Sequence, residues 1–243
     1  MKAYIKALAF GLFLLLPSVS GAAIVIDPGH GGYDGGLVHI TSTGKEVKEK
    51  DVDLKISLAL MAALRARGYN VRLTREVDRS MTIPERLASV GGSPVSAFLS
   101  IHLSDNGSFN IYAWNKPVQN GDFKSMYLRS NIQARHTADS QALAQAIQQA
   151  LKGIFPARTV AIFEMPLPVL GGVDGPAVMV ESPSAAELDY QDPASTAMIT
   201  NALANAVSAI AIKPVPSGAG PAKNSPAPVS NRTSPDDILN ELK

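Results

Sequence analysis

Ile24-Val25-Ile26-Asp27-Pro28-Gly29-His30-Gly31-Gly32 is the stretch from which the fold can be read. Three β-branched apolar residues in a row suit a short strand covered on both faces, since a half-exposed strand would alternate apolar with polar. Pro28 and Gly29 end that strand, and Gly29, Gly31 and Gly32 let the backbone fold tightly around one imidazole, His30. Doubly covered strands belong to parallel sheets flanked by helices.

The flanking segments agree. Residues 51–67 place Val52, Leu54, Ile56, Leu58, Leu60, Met61 and Leu64 at helical spacing and stop at Gly68. Residues 71–74 read as a second strand. Residues 83–90 read as a short helix with Thr82 as its N-cap and Pro84 in its first turn. Beyond them come strands at 95–101 and 109–114, a helix at 140–151, a strand at 177–180 and a closing helix at 193–212. Strands alternating with helices predict an α/β fold: an open, mainly parallel, twisted sheet with helices on both faces, in a single domain over residues 23–212. Of 243 residues 46% are hydrophobic and 18% charged, which is enough apolar material for a core and too little charge for wholesale disorder.

Ligands of open α/β sheets bind beyond the carboxyl ends of the strands. The first strand ends at His30, the strand 95–101 runs into His102, and the strand 177–180 runs into Glu181. Glu49 stands just before the long helix, beside the exit of the first strand. Without cysteine the chain can hold no disulfide, iron–sulfur cluster or thiolate metal site, so a metal would rest on His, Asp or Glu. Two histidines and one glutamate are a ligand set for catalytic zinc, with water at the open position. The remaining carboxylate is then placed to act as a general base on that water.

Five runs together carry a resemblance. They are residues 24–36, Glu49-Lys50-Asp51-Val52-Asp53-Leu54, Leu73-Thr74-Arg75, Leu99-Ser100-Ile101-His102 and Pro176-Ala177-Val178-Met179-Val180-Glu181. In this order they resemble the zinc-dependent N-acetylmuramoyl-L-alanine amidases, bacterial cell-wall hydrolases of amidase type 3. The resemblance implies that His30, Glu49 and His102 hold Zn²⁺ and that Glu181 is the catalytic carboxylate. It also implies peptidoglycan as substrate, cut at the amide between N-acetylmuramic acid and L-alanine in wall remodelling or daughter-cell separation. The chain departs from the family after Glu181, where Ser182-Pro183-Ser184-Ala185-Ala186-Glu187 stands, and after His102, where Leu103-Ser104-Asp105-Asn106 follows. Two other functions fit the same fold: a catalytically inactive wall-binding scaffold, and a zinc peptidase acting on stem peptides.

Other polar residues carry weaker signals. Glu46 is an alternative to Glu49, and Asp27 suits either a support for a metal-bound imidazole or a cap on its own turn. His39 and His136 read as surface histidines, Glu164 and Glu187 equally as carboxylates near the cleft or as solvated ones, and Tyr112 and Trp114 as packing residues rather than stacking surfaces for sugar or peptide.

The two ends differ from the middle. Residues 1–22 read as a secretory signal peptide: Lys2 and Lys6, an uncharged run over 7–16, then small residues with cleavage after Ser20 or Ala22. That run is half the ~20 residues a membrane-spanning helix needs, so the expectation is an exported protein, periplasmic or extracellular, with no membrane span after cleavage. Loss of the two lysines takes the formal net charge from +1 to −1. Neither value suggests a nucleic-acid partner. Residues 213–243 read as a Pro/Ser/Ala-rich disordered tail, closed by a marginal helix of Ile238, Leu239 and Leu242. Residues 115–139, long and polar, are expected to form an insertion or flap that covers the site until an activator protein moves it.

Overall fold

A computed structural model describes residues 22–41, 44–92, 94–114 and 130–211. The first strand, β1 (Ile24–Pro28), is buried along its whole length. It pairs in parallel with β4 (Val71–Leu73) on one side and with β5 (Ala97–Leu103) on the other. β8 (Ala177–Ser182) runs parallel to β5, and β6 (Phe109–Ala113) is antiparallel to β8 and parallel to β7 (Val160–Glu164). The sheet order is therefore β4-β1-β5-β8-β6-β7, beside a separate hairpin of β2 (Val38–Ile40) and β3 (Glu46–Lys48). This is the expected open, mainly parallel sheet.

Side-chain alternation along the strands creates two cores. Ile24, Ile26, Leu99, Ile101, Val178 and Val180 face one way. They meet the apolar stripes of three long helices, α1 (Glu49–Ala66), α4 (Thr137–Ile154) and α6 (Pro193–Ile210). Val25, Phe98 and Ala177 face the other way, against α2 (Ile83–Val90) and the single turn α5 (Pro168–Gly171), with Trp114 between. A short helix, α3 (Ser130–Ala134), precedes α4. Thr82 caps α2 through a reciprocal capping box with Glu85, as its position in sequence suggests.

Several boundaries and elements differ from expectation. The middle strand is shifted two residues on, to Ala97–Leu103, so His102 lies inside its last pairs rather than after them. The hairpin and β7 escape sequence reading, because three-residue strands and an edge strand bury too little to show a clear period. Part of the expected insertion is helical, since α3 and the start of α4 fall within 130–139. The rest of that insertion, 115–129, lies outside the described residues, as do the expected signal peptide up to residue 21, residue 212 of the expected closing helix and the tail, 213–243.

From β1 the chain passes through α1 to β4 on one side, then through α2 to β5 on the other. The two connections diverge, opening a crevice at the carboxyl ends of β1 and β5. A pair of buried arginines shapes the loop that leaves β1. Arg86 Nη1 donates to Asp27 Oδ1 at 2.8 Å and to the Pro28 carbonyl at 2.6 Å, and its Nη2 donates to the His30 carbonyl at 2.5 Å. Arg75 donates to the Gly29 carbonyl at 2.6 Å and the Lys50 carbonyl at 2.8 Å. Thr74 and Ser100 hydroxyls complete the shell of Asp27 at 2.6 and 2.9 Å. Asp27 therefore neither supports an imidazole nor caps its own turn; it neutralises Arg86. Arg86→Ala leaves that carboxylate buried without its cation, and the expected loss is about 3–5 kcal/mol in denaturant unfolding. A loss below about 1 kcal/mol, the range of an exposed pair, would show that the clamp is not a stabilising device.

Candidate active site

The register of the sheet brings the sequence candidates together. His102 of β5 is the direct partner of Glu181 on β8, and Glu181 is the direct partner of Asn110 on β6. Direct partners point to the same face, about 5 Å apart, so the three form one row across the sheet. Glu49 enters from the first turn of α1, and His30 from the loop after β1. His30 has a φ of 52°, in the left-handed region that few non-glycine residues occupy. The carbonyl bond from Arg86 offsets that strain, which is of the order of 1–3 kcal/mol.

His30 Nε2 lies 3.1 Å from Glu49 Oε1, and His102 Nδ1 lies 3.2 Å from the same oxygen. The two rings meet edge to face with centroids 4.9 Å apart. The other nitrogen of His30, Nδ1, is 2.8 Å from Asp34 Oδ2, the arrangement by which a carboxylate fixes the tautomer of a metal-bound histidine. Backbone N–H groups of Leu37 and Leu103 donate to Glu49 at 2.7 and 2.9 Å. No side chain fits at residue 29, where a Cβ would stand 2.4 Å from His102 Cε1 and 2.7 Å from Asp53 Oδ2.

The donors fit a divalent cation. A tetrahedral ion bound at about 2.0–2.1 Å holds its donors about 3.4 Å apart, close to the observed 3.1 and 3.2 Å. Asp53, one helical turn after Glu49, joins the group, and all four ligand atoms lie within 4.8 Å of one another. Asp53 is fully buried and neither oxygen has a hydrogen-bond partner. A carboxyl left without donors beside two imidazoles calls for positive charge. Burial, and then the neighbouring charge of Glu49, push Asp53 well above the usual carboxylate range. Burial opposes ionisation of Glu49 as well, but the imidazoles and the two backbone N–H groups outweigh it and hold Glu49 well below that range. For His30 burial is again outweighed, by the bonds to Glu49 and Asp34, and its pKa is raised.

Glu181 stands outside the metal cluster and has its own attendants. Asn110 Nδ2 and the Tyr112 hydroxyl each donate to Glu181 Oε2 at 3.0 Å. Burial first, and then the charge and hydrogen bond of Glu181, push the Tyr112 phenol up to about 12, so it remains a donor across the physiological range. Its ring stacks on Phe163 of β7 at 5.4 Å. A cleft of about 180 Å³ opens between the β2–β3 hairpin, Leu103, Asp105 and residues 184–186.

His30, Glu49, His102 and Glu181 thus converge, whereas Glu46 faces outward and pairs with Lys48. Glu164 and Glu187 are exposed, and Trp114 is buried in the smaller core. Three expectations need correction. Tyr112 is a neighbour of Glu181 rather than a packing residue, His39 lines the cleft, and His136 is half-buried and bound to Asp174 at 2.7 Å. Asp34, Asp53 and Asn110 escaped the sequence reading. The spacing from Glu49 to Asp53 was a usable signal, because residues four apart share a helix face. The Asn110 contact depends on strand register and had none.

These shifts set a pH dependence for the metal-free protein. Glu49 contributes stability that is complete above its ordinary value of 4.5 and is lost only as the pH falls below it. His30 contributes fully below its ordinary 6.5 and loses that contribution as the pH rises through its raised folded value. Asp53, also raised, acts in the same direction as it ionises. The metal-free protein is therefore expected to lose thermal stability as the pH rises above the ordinary carboxylate value of 3.8, and further above 6.5 as His30 loses its proton. Asp53→Asn should flatten that slope in calorimetry, and an unchanged slope would remove Asp53 from the account.

Residues 24–209 match the N-acetylmuramoyl-L-alanine amidase family. The uncharacterized protein YqiI of Bacillus subtilis is 27% identical over 190 residues, covering 74% of this chain and 83% of YqiI. The N-acetylmuramoyl-L-alanine amidase LytC of Bacillus subtilis is 30% identical over 164 residues, covering 68% of this chain. Only 29% of LytC is spanned by that match. Among solved structures, the catalytic domain of CwlV, an amidase from Bacillus (Paenibacillus) polymyxa var. colistinus, shares the fold with a TM-score of 0.60 at 20% identity. That likeness covers 78% of this chain and 97% of the CwlV domain. The match to the family runs from the first strand of the sheet into its last helix, and the chain belongs to the N-acetylmuramoyl-L-alanine amidases.

Proposed function

We propose that this chain hydrolyses the amide between N-acetylmuramic acid and L-alanine in peptidoglycan, with zinc held by His30, Glu49 and His102 and with Glu181 as general base. The observation that carries the reading is one arrangement: two imidazole nitrogens at ligand spacing from Glu49 Oε1, with a separate carboxylate in the adjacent strand position. Bound zinc would lower the pKa of water towards ~7 and stabilise charge on the carbonyl oxygen. Asp34 holds the tautomer of His30, and Asp53 balances cationic charge beneath the cluster. Glu181 takes the proton of the attacking water and returns it to the departing nitrogen of L-alanine. The carbon–nitrogen bond breaks, leaving a carboxylate on the lactyl group and a free amine on the stem peptide.

A wall substrate places the enzyme outside the cytoplasm, in agreement with the export signal read over residues 1–22. Among the described residues, no helix is long and apolar enough to cross a membrane. The cleft wall holds Ser184, Ala185 and Ala186, the run in which the chain departs from the family pattern, and this favours a second reading as a zinc peptidase of stem peptides.

Purified protein incubated with sacculi, with and without a chelator, tests both readings. The amidase releases intact stem peptides in the metal-loaded form only; trimmed peptides still joined to sugar would support the peptidase instead. Glu181→Gln is expected to bind metal like the parent and to lose at least ~10²-fold in turnover, as removal of a general base does. His102→Ala should lose metal and turnover together. A Glu181→Gln protein with near-parent turnover would end the assignment of the base.

A further inference from the structure

The reading above leaves open what aims Glu181, and it is on that reading that the following rests. A glutamate at the carboxyl end of a strand has three side-chain torsions, and backbone pairing fixes none of them. Its catalytic use requires one oxygen turned towards the crevice, with the carboxylate plane held there through the reaction. The metal donors cannot supply this, because none of their polar atoms is bonded to Glu181.

The groups that bond it come from β6, the antiparallel strand on the far side. Asn110 is the direct register partner of Glu181 and donates from its amide at 3.0 Å. Tyr112, two residues on and on the same face, donates from its hydroxyl at 3.0 Å. Both reach the same oxygen, Oε2, and among the described residues no donor reaches Oε1. Two donors converging on one oxygen from separate side chains fix the rotation of the whole carboxylate. They also leave the second oxygen with its lone pairs free. Tyr112 is in turn held by the ring of Phe163, which lies nearly parallel to it at 25°.

We propose that Asn110 and Tyr112 are positioning residues for the reaction: together they engage Glu181 Oε2 and reserve Oε1 as the atom that takes and returns the proton. The active site then includes the antiparallel part of the sheet. On this account β6 is part of the machinery, although it carries no metal donor and no proton-transfer group.

Asn110→Asp keeps the shape of the side chain and replaces its donor by an acceptor. Tyr112→Phe keeps the ring on Phe163 and removes the hydroxyl. With sacculi as substrate and zinc content matched to the parent, each change is expected to lower kcat about 10-fold or more, with KM within about twofold. Asn110→Ala, which leaves a gap without repulsion, should be less damaging than Asn110→Asp. A residue that merely supported the fold would give the opposite order. Crystal structures of the parent and of the Asn110→Asp/Tyr112→Phe double variant give a readout that needs no activity. The Glu181 carboxylate is expected in one conformer in the parent and in a different or divided one in the variant. Parent-like kcat in Asn110→Asp, or an unmoved carboxylate in the double variant, overturns the proposal. If instead the loaded parent releases no more stem peptide than Glu181→Gln, the functional reading fails, and the crystal structures alone decide the positioning.

Discussion

The structure depends on holding a strained loop still. The backbone after β1 must turn so sharply that His30 enters the left-handed region, and a turn of that kind persists only if its surroundings over-determine it. Arg86 and Arg75 do this by donating to three successive carbonyls, those of Pro28, Gly29 and His30. Two buried guanidinium groups would themselves be a liability. Asp27 neutralises one of them, and Thr74 and Ser100 satisfy the remaining lone pairs of that carboxylate. Everything around the metal cluster takes its place from this loop: Gly29 lies against His102, and Gly36 against Glu49 and His30, each too closely for a methyl group.

The cluster has a division of labour between its carboxylates that follows from their environments. Glu49 is ionised because four donors surround it. Asp53, one turn below on the same helix, has no donor and is driven towards its neutral form. Asp34 sits nearer solvent and is kept low, burial being outweighed by its bond to His30. Of these three neighbouring acids, two thus favour the ionised form and one the neutral form. A divalent ion would change the balance most at Asp53, which has no hydrogen-bond donor and only the more distant charges of Arg75 and Arg86 in its favour.

Much of this was legible in the amino-acid sequence, because strand ends and glycine-rich turns are local features. Ile24-Val25-Ile26 followed by Asp27-Pro28-Gly29-His30 announces a buried strand and its exit loop, and the alternation of elements announces the sheet. His102 and Glu181 could be placed at strand ends for the same reason. The contacts of Glu181 with Asn110 and Tyr112 were not legible, because they require β6 to lie antiparallel to β8 in one register, and no local pattern states which strands pair. Trp114 and Tyr112 also show why an aromatic residue is hard to assign. Tyr112 lies on β6 and faces the site, Trp114 just past its end fills a core, and only the neighbouring elements decide which.

The candidate metal donors come from segments far apart in the chain: a loop at residue 30, a helix at 49 and a strand at 102. The first two are joined through the β2–β3 hairpin, but His102 reaches them only when β5 has docked against β1. An unfolded chain therefore offers no site worth the name, and ion capture must be among the last events of folding. On the proposed reading of an exported zinc enzyme, the cation would be acquired at the destination. Metal supply in that compartment, rather than in the one where synthesis occurs, would then govern how much of the protein matures.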